Sequence, residues 1–171
     1  MVDRNLPSSV APPSGSLPAP ASIRVLYTDD EADVREVFAA VFADDFEVTC
    51  AASGDEALAL LGRQSFDVLV TDMRMHPMKG SELLARALAE FPDVQRVVVT
   101  GFSDHGELVS AVNEGHVFAY VQKPWEAEQL KLTILRAAEA RRMELENRRL
   151  VQELRTWNAR LQVDMEAVAR A

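Results

Sequence analysis

Four strand-like apolar runs each end on side chains that could serve one phosphate-and-metal site. The runs, with the residues that follow them, are Ile23–Thr28 with Asp29 and Asp30, Asp67–Thr71 with Asp72, Arg96–Val99 with Thr100, and Val117–Gln122 with Lys123. In an open α/β sheet, ligands bind in the crevice outside the carboxyl ends of the strands. Three carboxylates, one hydroxyl and one ammonium at that edge predict chemistry on a phosphoryl group.

Asp72 is the predicted nucleophile of this site. It ends a buried apolar strand, and a carboxylate that projects into the crevice can attack phosphorus to form an aspartyl phosphate. Because the attack brings an anion to an anion, a cation must lie close by. Mg²⁺ prefers a few carboxylates, water and phosphate oxygens. The predicted ligands are Asp29, Asp30, Asp72 and the backbone carbonyl of Arg74.

Lys123 and Thr100 are predicted to bind the remaining phosphate oxygens through an ammonium and a hydroxyl. Taken singly, each of these motifs has an ordinary explanation. Acids after a strand often begin a helix, and Lys123-Pro124 alone would be an ordinary turn. The order and spacing of all the motifs together favour the site.

Composition narrows the class of protein. The chain has 171 residues, 48% of them hydrophobic, a net charge of -9 and a pI of about 4.8. So acidic a chain is not expected to bind nucleic acid or an anionic membrane directly. The single Cys50 excludes an internal disulfide and fits a reducing compartment. No apolar run is long enough to span a bilayer, and no signal core begins the chain, so we predict a cytoplasmic protein.

Strand and helix patterns alternate five times from Ile23 onward. The predicted helices are Ala32–Phe42, Gly54–Gly62, Ser81–Glu90, Glu107–Asn113, for which Asp104 is a possible N-cap, and one from Glu126 onward. The runs Val68–Val70 and Val97–Val99 are continuously apolar, as expected of central parallel strands. The predicted fold class is therefore α/β, a doubly wound five-stranded parallel sheet with helices on both faces, formed by residues 22–138.

The segments that flank this region differ from it in composition. Residues 1–21 contain five of the eight prolines together with Ser and Ala, which predicts a disordered tail. Residues 127–171 contain no Pro or Gly, which predicts a long C-terminal α-helix whose extension covers residues 139–171.

A heptad repeat fits the helical extension. The a positions are Ala140, Asn147, Leu154, Leu161 and Val168, and the d positions are Met143, Leu150, Trp157 and Asp164. Asp164 interrupts the seam, whereas Asn147 is the kind of polar a residue that can set register in a two-stranded coil. We interpret the extension as a coiled coil that joins two copies into a homodimer. The alternative is a helix that folds back onto its own domain.

From Ile23 to about Ala138 the chain resembles the receiver domain of two-component response regulators. The matching residues are Asp29-Asp30-Glu31, Asp72-Met73-Arg74-Met75, Gly80, Thr100-Gly101, Tyr120 and Lys123-Pro124. The resemblance implies a flavodoxin-like strand order, 2-1-3-4-5, and a cis peptide between Lys123 and Pro124. It also implies that Tyr120 is an aromatic switch that turns inward on activation.

The resemblance further implies a function. Asp72 would accept a phosphoryl group from a histidine kinase, Asp29 and Asp30 would bind Mg²⁺, and Thr100 with Lys123 would sense the phosphoryl group. Such a protein is a phosphorelay switch rather than an enzyme, since it catalyses only its own phosphorylation and slow dephosphorylation. The fifth helix would relay the change to the coiled coil and to a downstream protein that the sequence does not identify.

Two departures from the family pattern lie in the loop after Asp72. The usual proline is displaced by one residue, giving His76-Pro77, and Lys79 stands where an acidic or small residue is typical. We assign His76 no catalytic or metal-binding role.

Two other functions remain as alternatives. A phosphorylation-independent adaptor could act through the coiled coil alone, although it would need none of the acidic and phosphate-sensing residues. A small flavin-binding electron carrier would need a loop rich in Ser, Thr and Gly after the first strand, where this chain has three acids.

Overall fold

The computed structural model describes residues 22–114 and 117–170, so the predicted tail over residues 1–21 lies outside the described part of the chain. A sheet of five parallel strands forms the centre, in the order β2-β1-β3-β4-β5. The strands are β1 (Arg24–Thr28), β2 (Glu47–Ala51), β3 (Val68–Asp72), β4 (Gln95–Thr100) and β5 (Ala119–Gln122). This order confirms the predicted doubly wound sheet.

One helix follows each strand. The helices are α1 (Ala32–Phe42), α2 (Gly54–Arg63), α3 (Gly80–Glu90), α4 (His105–Asn113) and α5 (Ala127–Arg170), with a 3-10 turn (Phe102–Asp104) between β4 and α4. Each predicted helix is present, and its predicted ends differ from the observed ones by two residues at most.

Two apolar layers hold the helices against opposite faces of the sheet. On one face, Phe38 and Phe42 of α1 join Leu130 and Ile134 of α5 in a single buried cluster. The other face packs α2 and α3 against β1 and β3, and a smaller cluster around Leu108 adds α4. β3 and β4 are buried along their whole length, as their continuous apolar runs predict.

The strand registers bring the carboxyl ends of β1, β3, β4 and β5 to the same edge of the sheet. Thr28 lies beside Thr71, Asp72 beside Val99, and Thr100 beside Gln122. The polar residues at or just after these ends therefore face one crevice, as the parallel arrangement requires.

α5 runs unbroken for 44 residues, about 66 Å at the usual helical rise. One face of its first turns is buried, and polar contacts continue beyond that face: Arg141 pairs with Asp67 at 2.9 Å, and Arg148 with Asp93 at 2.8 Å. From residue 146 to residue 170 every side chain is exposed. The helix thus leaves the sheet gradually, and the division at residue 138 remains a prediction. Within the described ranges, no helix combines the length and apolarity that a membrane crossing needs.

Candidate functional site

Three carboxylates meet at the edge of the sheet. Asp29, Asp30 and Asp72 each offer an oxygen, and these oxygens lie within 4.8 Å of one another. Asp29 is fully buried and Asp72 is 5% exposed, whereas Asp30 faces solvent. The site is therefore a crevice with buried walls and one open side, and a small ligand can enter from solvent.

Lys123 supplies the positive charge of this crevice. Its Nζ atom lies 2.9 Å from Oδ1 of Asp72 and 3.9 Å from Oδ2 of Asp29. Burial raises the pKa of Asp72, while the ammonium of Lys123 and a backbone hydrogen bond from Arg74 oppose that rise. Three acids against one ammonium leave an excess of negative charge, which favours a bound cation.

The Tyr27 side chain orients the carboxylate of Asp29. Its hydroxyl donates a 3.0 Å hydrogen bond to Oδ2 of Asp29, while the N–H of Glu31 donates to Oδ1 at 2.9 Å. The Tyr27 ring stacks on Phe38, with centroids 3.8 Å apart, so the phenol is held in place. Burial and the neighbouring Asp29 raise the pKa of Tyr27, which keeps the phenol protonated as a donor.

Tyr27 is not among the site residues predicted from the sequence, because it lies inside an apolar run. A signal was nevertheless present. Residues i and i+2 of a strand lie on the same face, and a buried tyrosine hydroxyl needs a partner, so Tyr27 and Asp29 could have been paired.

The loop after Asp72 comes close to the strand and to Asp30. A Cβ at Gly80 would overlap the carbonyl oxygen of Asp72, so only glycine fits there. The N–H of His76 donates to Oδ2 of Asp30 at 3.2 Å, while the His76 side chain is exposed. The His76–Pro77 and Lys123–Pro124 peptides are both cis. The displaced proline thus belongs to a loop whose backbone holds Asp30.

Thr100 lies at the same edge but its hydroxyl points to Asp104. The Thr100 Oγ1 atom is 3.2 Å from Oδ2 of Asp104, and the N–H of Gly101 donates to the same oxygen at 2.8 Å. Asp104 occupies the N-cap position of α4, yet its side chain makes no capping hydrogen bond there. The possible capping role of this carboxylate is therefore wrong. Asp104 instead binds the end of β4 and pairs with the side chain of Arg74.

Tyr120 is separate from the acidic cluster. It lies on the edge strand β5 with 57% of its surface exposed. The structure therefore brings Asp29, Asp30, Asp72 and Lys123 into direct proximity, and places Thr100 beside them and Tyr120 at the surface.

The fold and the site together define a class: a doubly wound α/β domain with an acidic, lysine-bearing crevice at the carboxyl edge of its sheet. The family model for the response regulator receiver domain matches residues 25–135. The chain belongs to this family.

Curated relatives are longer proteins. The chain is 35% identical over 132 residues to the hydrogenase transcriptional regulatory protein HoxA of Cupriavidus necator, covering 77% of this chain and 27% of that protein. It is 34% identical over 131 residues to the C4-dicarboxylate transport transcriptional regulatory protein DctD of Rhizobium meliloti, covering 76% and 28%. The chain therefore spans less than a third of the length of these relatives.

Solved structures with the same fold match most of the chain. A structure described as adenylate cyclase from Rhodopirellula baltica has a TM-score of 0.74 and 31% identity, covering 77% of this chain and 98% of that one. A response regulator receiver domain protein from Clostridium thermocellum has a TM-score of 0.67 and 28% identity, covering 71% and 98%.

Proposed function

We propose that the chain is a phosphorylation-dependent response regulator that accepts a phosphoryl group on Asp72 from a histidine kinase. The observation that supports this most directly is the contact between the Lys123 ammonium and the Asp72 carboxylate, beside two further acids. An adaptor that only holds proteins together would gain nothing from a buried, cation-paired carboxylate, because burying such groups costs free energy.

The chemical step is a phosphoryl transfer. A carboxylate oxygen of Asp72 forms a new bond to phosphorus, and the bond between phosphorus and the donor's nitrogen or oxygen breaks. The electron pair of that bond leaves with the donor, so atoms and charge balance. Lys123 moves its ammonium to an oxygen of the transferred group, and Thr100 offers its hydroxyl to another.

The crevice fits Mg²⁺, because hard oxygen donors are the ligands this ion prefers. Asp29, Asp30, Asp72 and the backbone carbonyl of Arg74 are the proposed ligands. When bound, the ion neutralises charge on the phosphoryl oxygens. The protein's part is to hold the acids: the Tyr27 hydroxyl and the His76 N–H each donate to one of them.

The proposed output runs through α5 in the cytoplasm. Phosphorylation would draw Thr100 and Lys123 toward the phosphoryl group and turn Tyr120 inward. These movements would change the surface that α4, β5 and α5 form. α5 would carry that change into a homodimeric coiled coil and to a downstream protein. The continuous helix from Ala127 to Arg170 supports this path.

The exposed seam of α5 supports pairing of two copies. Five of its apolar side chains are more than half exposed and so available to a partner: Met143, Leu154, Trp157, Leu161 and Val168. Val168 lies at an a position one heptad after Leu161, so the proposed seam continues past the break at Asp164.

Labelling by a small phosphodonor tests the proposed function. The wild-type chain, incubated with acetyl phosphate and Mg²⁺, is expected to gain the mass of one phosphoryl group, and the label should map to the peptide that contains Asp72. Removing Mg²⁺ with a chelator should suppress the gain. If no label appears while the chain still forms dimers, the adaptor function is favoured instead.

A Tyr27→Phe variant is expected to bind Mg²⁺ about tenfold more weakly, because outer-shell partners orient metal ligands. The phenylalanine ring keeps the stack on Phe38 and removes only the hydrogen bond to Asp29. Titration calorimetry with MgCl₂ measures the change, and thermal unfolding checks that the variant is folded. An unchanged dissociation constant would show that Tyr27 is a packing residue only.

A further inference from the structure

The carboxylate of Asp104 joins three segments at the edge of the sheet. It is 5% exposed and accepts hydrogen bonds from the Gly101 N–H at 2.8 Å and the Thr100 hydroxyl at 3.2 Å. Its second oxygen accepts from Nε of Arg74, in the loop after β3. One side chain at the start of α4 thus binds the end of β4 and the loop beside Asp72.

The Thr100 hydroxyl has a single proton to donate. Its two acceptors within reach are the carbonyl of Gly101 at 3.3 Å and the Asp104 carboxylate at 3.2 Å. A carboxylate accepts a stronger hydrogen bond than a neutral carbonyl. While Thr100 donates to Asp104, it cannot donate to a phosphoryl group on Asp72.

Asp104 is a charged acceptor at neutral pH. The Arg74 guanidinium pairs with one oxygen of Asp104 and the Gly101 N–H donates to the other, and both contacts favour the ionised carboxylate. The carboxylate therefore competes for the Thr100 proton as an anion, as a phosphoryl oxygen would.

We propose that Asp104 is a positioning residue that holds Thr100 and Arg74 in the arrangement of the unphosphorylated protein. This inference rests on the proposed function. A phosphoryl group on Asp72 takes the Thr100 hydroxyl only by displacing Asp104, so the carboxylate resists the switch.

The same contact links the site to α4. Asp104 is the residue before the first turn of that helix, so its release from Thr100 removes one of the contacts that hold the start of α4. A second ion pair, between Lys79 and Glu107 at 2.7 Å, also ties the loop after β3 to α4 but does not touch Thr100. Breaking the pair of Lys79 with Glu107 loosens this loop without changing the contacts of Thr100. It therefore serves as a control for the effect of Asp104 on Thr100.

The test is the affinity for beryllofluoride, a stable mimic of the phosphoryl group, measured by titration calorimetry in the presence of Mg²⁺. Asp104→Asn replaces the anion with a neutral acceptor of the same shape, which holds the Thr100 proton more weakly. The variant is expected to bind beryllofluoride about tenfold more tightly than wild type. Glu107→Gln, the matched control, is expected to change the affinity by less than about twofold.

A double-mutant cycle with Thr100→Ala identifies the path of the effect. If Asp104 acts through the Thr100 hydroxyl, Asp104→Asn in the Thr100→Ala background should change the affinity by less than about twofold. An equal gain in both backgrounds, or a loss of affinity in the single variant, overturns the proposal. A merely structural Asp104 would lower both the affinity and the unfolding temperature.

Asp104→Ser is the second variant, since it removes the carboxylate and keeps a small acceptor for the Gly101 N–H. It is expected to change the affinity in the same direction as Asp104→Asn, and a loss of affinity in a folded serine variant also overturns the proposal. If wild type itself binds no beryllofluoride and takes up no label, the proposed function fails. If wild type binds and neither variant binds more tightly, only the role of Asp104 fails.

Discussion

An Asp72→Asn variant is expected to take up no phosphoryl group from acetyl phosphate or from a histidine kinase. The carboxamide has nearly the same shape as the carboxylate, but it lacks the anionic oxygen that attacks phosphorus. Lys123 lies closer to this carboxylate, at 2.9 Å, than to that of Asp29, at 3.9 Å, and Asp29 is fully buried and already bound by the Tyr27 hydroxyl, so we expect no other acid in the crevice to replace Asp72. Intact-mass measurement should show complete loss of the label, the largest catalytic effect that we expect from any single substitution.

The same variant is expected to be more stable than wild type at neutral pH. Burial raises the pKa of Asp72, so the folded protein binds a proton there more tightly than the unfolded chain does. The ionised carboxylate therefore opposes folding above that pKa, and the opposition shrinks as the pH falls below it. The neutral carboxamide of the variant has no such dependence. Thermal unfolding should show a higher unfolding temperature for the variant than for wild type at neutral pH, and this difference should shrink in mildly acidic buffer.

Asp67→Asn is the matched control for both measurements. Asp67 comes directly before the first residue of β3. Its carboxylate accepts a hydrogen bond from the backbone N–H of Arg24 and pairs with Arg141. The Asp67→Asn variant should take up the phosphoryl label as wild type does and should be less stable than wild type. Both results are the opposite of those expected for Asp72→Asn. Label that persists on the Asp72→Asn chain would place the phosphoryl acceptor elsewhere.

Paired substitution of Leu154 and Leu161 by lysine is expected to dissociate the proposed homodimer. Both side chains lie on the exposed seam of α5, 63% and 53% accessible in the single chain. A coiled coil would bury four such leucines in the dimer, each worth about 1.5–3 kcal/mol. Even half of that sum corresponds to more than about a hundredfold change in the dissociation constant. Sedimentation equilibrium should show dimers for wild type and monomers for the variant.

The opposite face of the same helix provides the control. Gln152 and Ala159 are f positions of the heptad frame, pointing away from the seam, so lysine at both should leave the dimer intact. Loss of dimers in both double variants would indicate a nonspecific effect of charge. A wild-type chain that is monomeric at high concentration would contradict the coiled coil and favour an exposed helix that binds a different partner.

The seam can be tested independently because the contacts that dock α5 on the domain use another face. Arg141, Glu144 and Arg148 contact Asp67, Gln95 and Asp93. These three helical residues are three and four positions apart and so lie on one face of α5. That face is rotated about a third of a turn around the helix axis from the face that carries Leu150 and Leu154. Pairing through the seam therefore requires no release of the docked turns.

Local patterns were sufficient to predict the fold class, because continuous apolar runs at β3 and β4 indicate the buried centre of a sheet and alternation of strand with helix favours parallel strands. The strand order, which the structure confirms, came only from the resemblance to receiver domains. The end of α4 was predicted correctly, but its start was placed two residues late, because the 3-10 turn before it has no periodicity.

The grouping of Asp29, Asp72, Thr100 and Lys123 at one edge of the sheet follows from the sequence by itself. Each residue ends a strand or directly follows one, and parallel strands must place their carboxyl ends together, so the grouping needs no knowledge of side-chain direction. The tertiary structure alone decided where the hydroxyl of Thr100 points, what Asp104 binds and how far α5 follows the sheet. These features depend on pairs of atoms from segments distant along the chain, such as Arg74 with Asp104 and Arg148 with Asp93. The periodicity of a single segment carries no information about such pairs, because they arise only when the helices pack on the sheet.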